Sequence, residues 1–431
     1  MSSLKRNTAA NFAGTATVAL IYLLILPVYL KLLGADAFGV VGLFFSLAAV
    51  CGVFDFGLGT ALNRQLAQLS ALGGRTAQQR VALRTFESVI WIISVLMGIV
   101  LFFAVPSLVD HWLQMGSMDK IEVKAGFRWM ALALALQMVL SLYTHVLWGL
   151  QMQVVFNVIN VLMIALRLIG AAVVLWATDA DLVSFFMWQA FITVFHVIGF
   201  VWAAWRLLPG NSAPKFDIGV LKQSKLFVFE VALATLFATL LMHIDKIVLS
   251  KLISLREYGY YMLAWSMASV LGRIASPIYS AWMPRLTQHV ASGDVMQLKN
   301  TYLQGLRLLG VIILPSVLIL TIFSEFILQT YTGSSELARA SMVALILLSM
   351  GSALNGMLLM PHAVALAHGW TRLSLVQNAF ACVVVVPVVF LATKQWGLDG
   401  AGIGWLLVNA VLLAITLPMI HRRCMTIPMT K

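Results

Sequence analysis

The chain holds few ionisable side chains for its length, and those standing inside apolar runs are the ones with chemistry to offer. Arg167 lies near the middle of one such run and Arg273 near the middle of another, too deep for their side chains to reach water easily. A charge at the centre of a membrane helix costs about 2.5 to 3.5 kcal/mol on insertion scales, so each needs a partner or a task. A guanidinium is planar and always charged, and two of them facing a wet cleft would hold a phosphate or carboxylate bidentately. The bland alternative is that each pairs with a carbonyl or polar side chain between helices. Lys246 and Arg307 extend the same cationic set. They lie nearer the ends of their runs, on opposite sides, where a long side chain can also reach the headgroups unaided, as Arg128 is expected to do.

Three further residues are candidates for ion or proton coupling. Asp55 sits within Phe54-Asp55-Phe56-Gly57-Leu58-Gly59, where it could titrate, bind a cation or counter an arginine. Asp245 is next to Lys246, although adjacent positions on a helix do not face each other directly. His196 lies mid-run and titrates near neutrality, as do His145, His243 and His362 closer to run ends; hydrogen-bonded packing is the commoner use of such residues. No Walker A loop, HExxH, Gly-x-Ser-x-Gly or Cys/His metal spacing occurs, and Cys51, Cys382 and Cys424 form no framework. The expectation is therefore a protein without catalytic residues, without a metal and without a bound cofactor, an ion gradient of protons or sodium being the one energy source left open.

The elements carrying these residues follow from composition. Of 431 residues 61% are hydrophobic and 10% charged, against about 25% charged in an ordinary soluble domain. Mean hydropathy is +0.95. Apolar runs of roughly 20 residues, each able to cross about 30 Å of hydrocarbon as a helix, recur from end to end. The chain reads as an all-α polytopic membrane protein. Twelve spans are expected, near 9–31, 38–61, 86–106, 125–148, 156–176, 182–205, 226–250, 258–281, 302–324, 338–361, 372–393 and 400–420, with the longest loops at Asn63 to Thr85, Arg206 to Lys225 and Trp282 to Thr301. Pro27, Pro277, Pro315, Pro361 and Pro387 mark expected kinks. The 28 Lys and Arg against 16 Asp and Glu form no dense patch, so nucleic acid is not an expected partner.

Basic residues sort by side instead. With the N-terminus in the cytoplasm, 16 of them (Lys5, Arg6, Arg64, Arg75, Arg80, Arg84, Arg206, Lys215, Lys222, Lys225, Arg285, Lys299, Arg372, Arg422, Arg423, Lys431) fall inside and 7 outside. That bias puts both termini in the cytoplasm and favours contact with anionic membrane lipids. Sliding the chain by 220 positions aligns Lys31 to Gly73 with Lys251 to Gly293 at 13 identities in 43, well above the roughly one in eight to ten expected of so apolar a composition. Six spans separate the copies, so the halves share one orientation. Parallel repeats are a transporter plan, with the substrate between the halves. The expected organisation is a six-helix lobe at 1–205, a linker at 206–225 carrying Pro209, Gly210 and Pro214, and a second six-helix lobe at 226–431.

Particular stretches are familiar. Leu26-Pro-Val-Tyr-Leu-Lys-Leu-Leu-Gly34, Phe38-Gly39, Asp55-Phe-Gly-Leu-Gly59 followed by Arg64, then Asp245-Lys246, Gly259-Tyr-Tyr-Met-Leu-Ala264, Ser276-Pro-Ile278 and Pro284-Arg-Leu286 resemble the polysaccharide transporters. Within that family the chain is similar to the Wzx-type O-antigen flippases of the multidrug/oligosaccharidyl-lipid/polysaccharide exporter superfamily. The resemblance covers essentially the whole length. It implies a V-shaped pair of six-helix lobes about a cationic cavity, moving an undecaprenyl-diphosphate-linked oligosaccharide outward across the bacterial inner membrane. Arg273 and Arg167 are the residues it maps onto that cavity, Lys246 and Arg307 less directly. A polysaccharide polymerase and a chain-length regulator are candidate partners. Rival readings are a cation-coupled multidrug exporter of the same superfamily, a membrane polymerase, and a cell-wall precursor flippase, whose relatives usually have fourteen spans.

Overall fold

The computed structural model describes residues 3–52, 54–73, 76–116, 118–208, 210 and 214–426, leaving aside the side chains of 3–5, 8, 371–375 and 422–426. Arg75, Pro209 and Lys431 lie outside the described residues, as do the side chains of Lys5, Arg372, Arg422, Arg423 and Cys424. The described chain is helical almost throughout: α1 Ser3–Cys51, α2 Leu58–Ala71, α3 Thr76–Ser107 with a π turn Leu108–Trp112, α4 Lys120–Gly149, α5 Gln153–Ala177, α6 Leu182–Leu207, α7 Ile218–Leu252, α8 Leu255–Ala268, α9 Val270–Ser292, α10 Val295–Ile322, α11 Ser324–Thr332, α12 Ser335–Ala367 and α13 Thr371–Thr426. Among the described residues nine helices are long and apolar enough to cross a membrane. Two of these, α1 and α13, are broken at Gly34 and at Trp396-Gly397 and each covers two expected spans. With α8 and α9 taken end to end, all twelve expected passes have a helix.

Two expectations about connections need correction. The stretches 63–85 and 282–301 are mostly helix, because α2, α3, α9 and α10 run past the apolar segments into charged sequence and turn only at Gly73 and Gly293. Charge ends the apolar run without ending the helix, since a helix outside hydrocarbon keeps its own backbone hydrogen bonds. Helix also continues through Pro27, Pro277, Pro315, Pro361 and Pro387; inside α1 and α13 the breaks with left-handed φ fall at glycines 34 and 397. The repeat is visible in these same features. A shift of 220 carries the Gly34 break onto Ser254, the cap of α8, and carries Gly73 (φ 64) onto Gly293 (φ 75).

The chain divides into two compact units, Met1–Thr239 and Leu240–Lys431, with the division inside α7. In the first, α4 is the internal helix, most of its apolar stretch buried where α3 leaves most of its own unburied. Its Val139, Leu142, Tyr143 and Val146 pack with Leu62 and Leu66 of α2, Phe86 and Ile90 of α3 and Phe200 of α6. The outward side of α3 exposes Ile92, Val95, Leu96, Ile99, Val100 and Phe103, an apolar surface that only lipid can cover. In the second unit α12 takes the internal place, its Met360 and Val364 packing with Leu271 and Ala275 of α9, Leu309 and Ile313 of α10 and Ile420 of α13. Helix starts are capped as their sequences dictate: Asp119, Asp181, Asp294 and Ser334 accept from the first-turn amides, and Ser254 with Glu257 makes a reciprocal capping box.

Candidate functional site

Arg273 stands on α9, exposed, at the midpoint of the rod formed by α8 and α9. Ser266, Ser269, Ser276, Ser280 and Thr287 recur with it at steps of three and four, or two such steps together, so they share its face, and Ser276, Ser280 and Thr287 are exposed as well. Their hydroxyls turn back on the helix: Ser266 donates to the Leu263 carbonyl, Ser269 to that of Ser266, Ser280 to that of Ser276, and Thr287 to that of Met283. These hydroxyls thereby satisfy their own donors on the helix and keep acceptor capacity. A guanidinium at this depth is costly in hydrocarbon, and a face that adds hydroxyl oxygens to it is suited to water within the membrane's thickness. Of these five hydroxyl residues only Ser276 is noted in the sequence, and there for its family resemblance and not for this face. The signal was there as a seven-residue spacing, but small hydroxyls barely dent a hydropathy profile.

Arg307 is also exposed, on α10, yet it heads a different kind of stripe. Val311, Leu314 and Leu318 follow it on the same face with exposures of 71%, 59% and 54%. A lone cation at the end of a lipid-facing row belongs with the headgroups. Arg128 is similar, exposed and set 5.5 Å from the Phe102 ring centroid.

The other cations are enclosed. Lys246 is 1% exposed; its Nζ lies 2.9 Å from Asp245 Oδ2, donates to the Met242 carbonyl at 3.1 Å, and sits 3.3 Å above the Trp265 ring. Tyr261 donates its hydroxyl to the same carboxylate, and Trp265 meets Trp405 edge-on at 5.0 Å. Adjacent helix positions were expected to point apart; here the lysine stem folds back over the preceding turn because no water is available to either charge. Arg167 is 8% exposed on α5 and donates to the Tyr22 hydroxyl of α1 at 3.2 Å. It belongs to a polar seam between these helices, in which Asn157 donates to Asn11 (2.7 Å), Asn7 to the Gln151 carbonyl (2.9 Å) and Tyr29 to the Leu168 carbonyl (2.6 Å). His196 of α6 is 4% exposed.

Asp55 occupies the break between α1 and α2, where Phe56 and Gly57 both have left-handed φ (50° and 73°). Its Oδ1 accepts from the Gly57 amide at 2.9 Å and its Oδ2 from the Ser141 hydroxyl at 3.0 Å. His145 is close by: a Cβ on Gly59 would lie 2.6 Å from its Nδ1 and 2.7 Å from Asp55 Oδ2. No arginine is among these partners. Glu87, a further buried carboxylate, was missed because it stands at the start of an apolar run; it accepts from Tyr143 at 2.7 Å and faces Arg84 at 3.5 Å. Arg273 thus lies on an exposed face with hydroxyl residues, Arg307 at the head of an exposed apolar row, and Arg167 and Lys246 are buried inside their own units.

The helices define a multi-pass membrane protein, and the comparisons with known proteins define it as a transporter. Residues 4–290 match the family model described as polysaccharide biosynthesis protein, and residues 231–391 match the MatE model. The chain belongs to the polysaccharide biosynthesis protein family. It is similar, at 20% identity over 98% of both chains, to the "Putative O-antigen transporter" of Shigella flexneri. Its fold is shared with a multidrug resistance MATE family transporter of the MOP superfamily in its inward-facing conformation, with TM-score 0.81, 16% identity and 94% of each chain covered. It is shared also with a MOP superfamily transporter from Pyrococcus furiosus described as having a binding pocket of reverse polarity, with TM-score 0.65, 17% identity and 99% and 96% covered.

Proposed function

We propose that this transporter is a flippase that moves undecaprenyl-diphosphate-linked O-antigen or related repeat units from the cytoplasmic to the periplasmic leaflet of the inner membrane. Both termini lie in the cytoplasm, the residues 206–225 link two six-helix lobes, and the substrate crosses by alternating access without a chemical step. The observation that carries this reading is the wet Arg273 stripe on α8–α9. A diphosphate-sugar headgroup is an anion rich in hydroxyls that cannot enter hydrocarbon, and a guanidinium flanked by serine and threonine oxygens is its chemical complement. The lipid tail stays in the bilayer while the head passes. A proton or sodium gradient supplies the energy, and Asp55, a buried carboxylate at a helix break beside His145, is the coupling group best placed to respond.

The test is deletion of the gene, with surface polysaccharide and lipid-linked intermediates followed in parallel. Loss of surface polymer with build-up of single lipid-linked units facing the cytoplasm is the expected result. Arg273→Gln should reproduce it at normal protein level, and Arg273→Lys should restore part of the polymer. The MatE match over 231–391 favours one rival, a multidrug exporter. Normal polymer with altered sensitivity to cationic drugs would select that rival and overturn the flippase reading.

A further inference from the structure

Inside the first unit, α1, α5 and α6 enclose polar side chains for which the headgroup path has no use. On α6, Phe185, Gln189, Thr193, His196 and Phe200 recur at steps of four, four, three and four, which places them on one face. The two phenylalanines show where that face points. Phe185 meets Tyr29 of α1 edge-on at 5.4 Å, and Phe200 lies 5.6 Å from Phe156 of α5. The three polar residues between them therefore look into the interior that α1, α4 and α5 share. Arg167 enters the same interior from α5, at a level set by the Trp188 indole donating to the Leu166 carbonyl at 3.1 Å.

The group is closed off and incompletely satisfied. Gln189 and Thr193 are 0% exposed, His196 4% and Arg167 8%. Thr193 spends its hydroxyl on the Gln189 carbonyl. Arg167 Nε, His196 Nε2 and both amide atoms of the Gln189 side chain have no partner among the described residues. None of the ion pairs among the described residues includes Arg167. A buried donor left unmade costs about 1–3 kcal/mol, and more for a charged one. With His196 protonated at Nε2, the unmade groups are donors from three side chains against the one Gln189 oxygen, around a fixed positive charge.

We propose that this buried polar group binds a small monovalent inorganic anion of halide size as the counter-ion of Arg167, with Arg167 Nε, the Gln189 amide and His196 Nε2 as its donors. Water alone would accept those hydrogen bonds and leave the charge uncompensated. A diphosphate headgroup is kept out by the burial of every member. The site is independent of what the transporter carries, so it stands or falls apart from the flippase reading.

The test uses the purified full chain. Crystals grown in sodium bromide should show an anomalous bromide peak between α1, α5 and α6 within hydrogen-bond reach of Arg167; no peak there at saturating bromide overturns the proposal. In parallel, thermal unfolding is compared in sodium chloride and sodium gluconate at equal ionic strength. The wild type should gain roughly 3 °C or more at a hundredfold excess over half-saturation. His196→Phe and Gln189→Leu should shift half-saturation to higher chloride, and Arg167→Gln should abolish the difference between the salts. Equal unfolding temperatures in the two salts, or a chloride gain that survives Arg167→Gln, would also overturn it.

Discussion

Separating Asp245 from Lys246 should expose how little the ion pair contributes by itself and how much each half depends on the other. At 2.9 Å and an effective dielectric of about 20, the attraction is about 6 kcal/mol. Against it stand desolvation penalties of several kcal/mol for each ion. The carboxylate keeps a neutral donor in Tyr261 and the ammonium keeps the Trp265 face, which together leave the pair near balance. Removing one partner abandons a buried charge, so Lys246→Met and Asp245→Asn should each cost about 3–5 kcal/mol. The double variant leaves no charge, retains an acceptor for Tyr261, and should cost about 2 kcal/mol or less. Two single losses of about 3 kcal/mol against a double loss of about 2 give a coupling of about 4 kcal/mol. Equilibrium unfolding of the purified protein, run as a double-mutant cycle, reads this directly. Additive losses would refute the reasoning, because they would mean that neither charge stabilises the other.

Other expectations are simpler to check. Gly149→Ala should lower stability by about 1–3 kcal/mol in thermal unfolding, since its Cβ would lie 2.8 Å from the Asn63 carbonyl oxygen and 3.1 Å from its Cα, both backbone. Gly272→Ala meets nothing within 4 Å and should be neutral or slightly stabilising by helix propensity. Arg307→Gln should leave surface polymer near normal where Arg273→Gln removes it, because Arg307 heads the lipid-facing row of α10; equal loss in both would place Arg307 on the substrate path. Asp181→Ala should cost about 1 kcal/mol through loss of the α6 cap. Burial pushes the Asp181 carboxyl up, but the Ser184 hydroxyl and amide and the Val183 amide outweigh it and hold it below the usual carboxylate range. The folded value is the lower one, so the cap's contribution is complete above the ordinary carboxylate range and fades as pH falls through the folded value. The stability gap between wild type and Asp181→Ala should thus be flat above about pH 5 and narrow below about pH 4.

Composition and run length alone determined that this chain is a bundle of membrane-crossing helices, because hydrocarbon tolerates backbone only when its hydrogen bonds are made within the helix. One feature of the repeat was legible too: a 220-residue shift aligns Gly73 with Gly293, while the match of the Gly34 break to the α8 cap appeared only in the structure. Which cations share a surface was not legible. Arg273 and Arg167 look alike in sequence, each a lone guanidinium in the middle of an apolar run. Packing separates them, since α9 presents Arg273 on an exposed row of hydroxyls while α1 and α6 close over Arg167. Asp245 and Lys246 illustrate the same limit at short range, where helix geometry alone predicts divergence and burial forces contact. Hydropathy measures the average environment along a helix. Which side of that helix meets water, lipid or another helix is set by neighbours distant in the chain, and that only the tertiary structure decided.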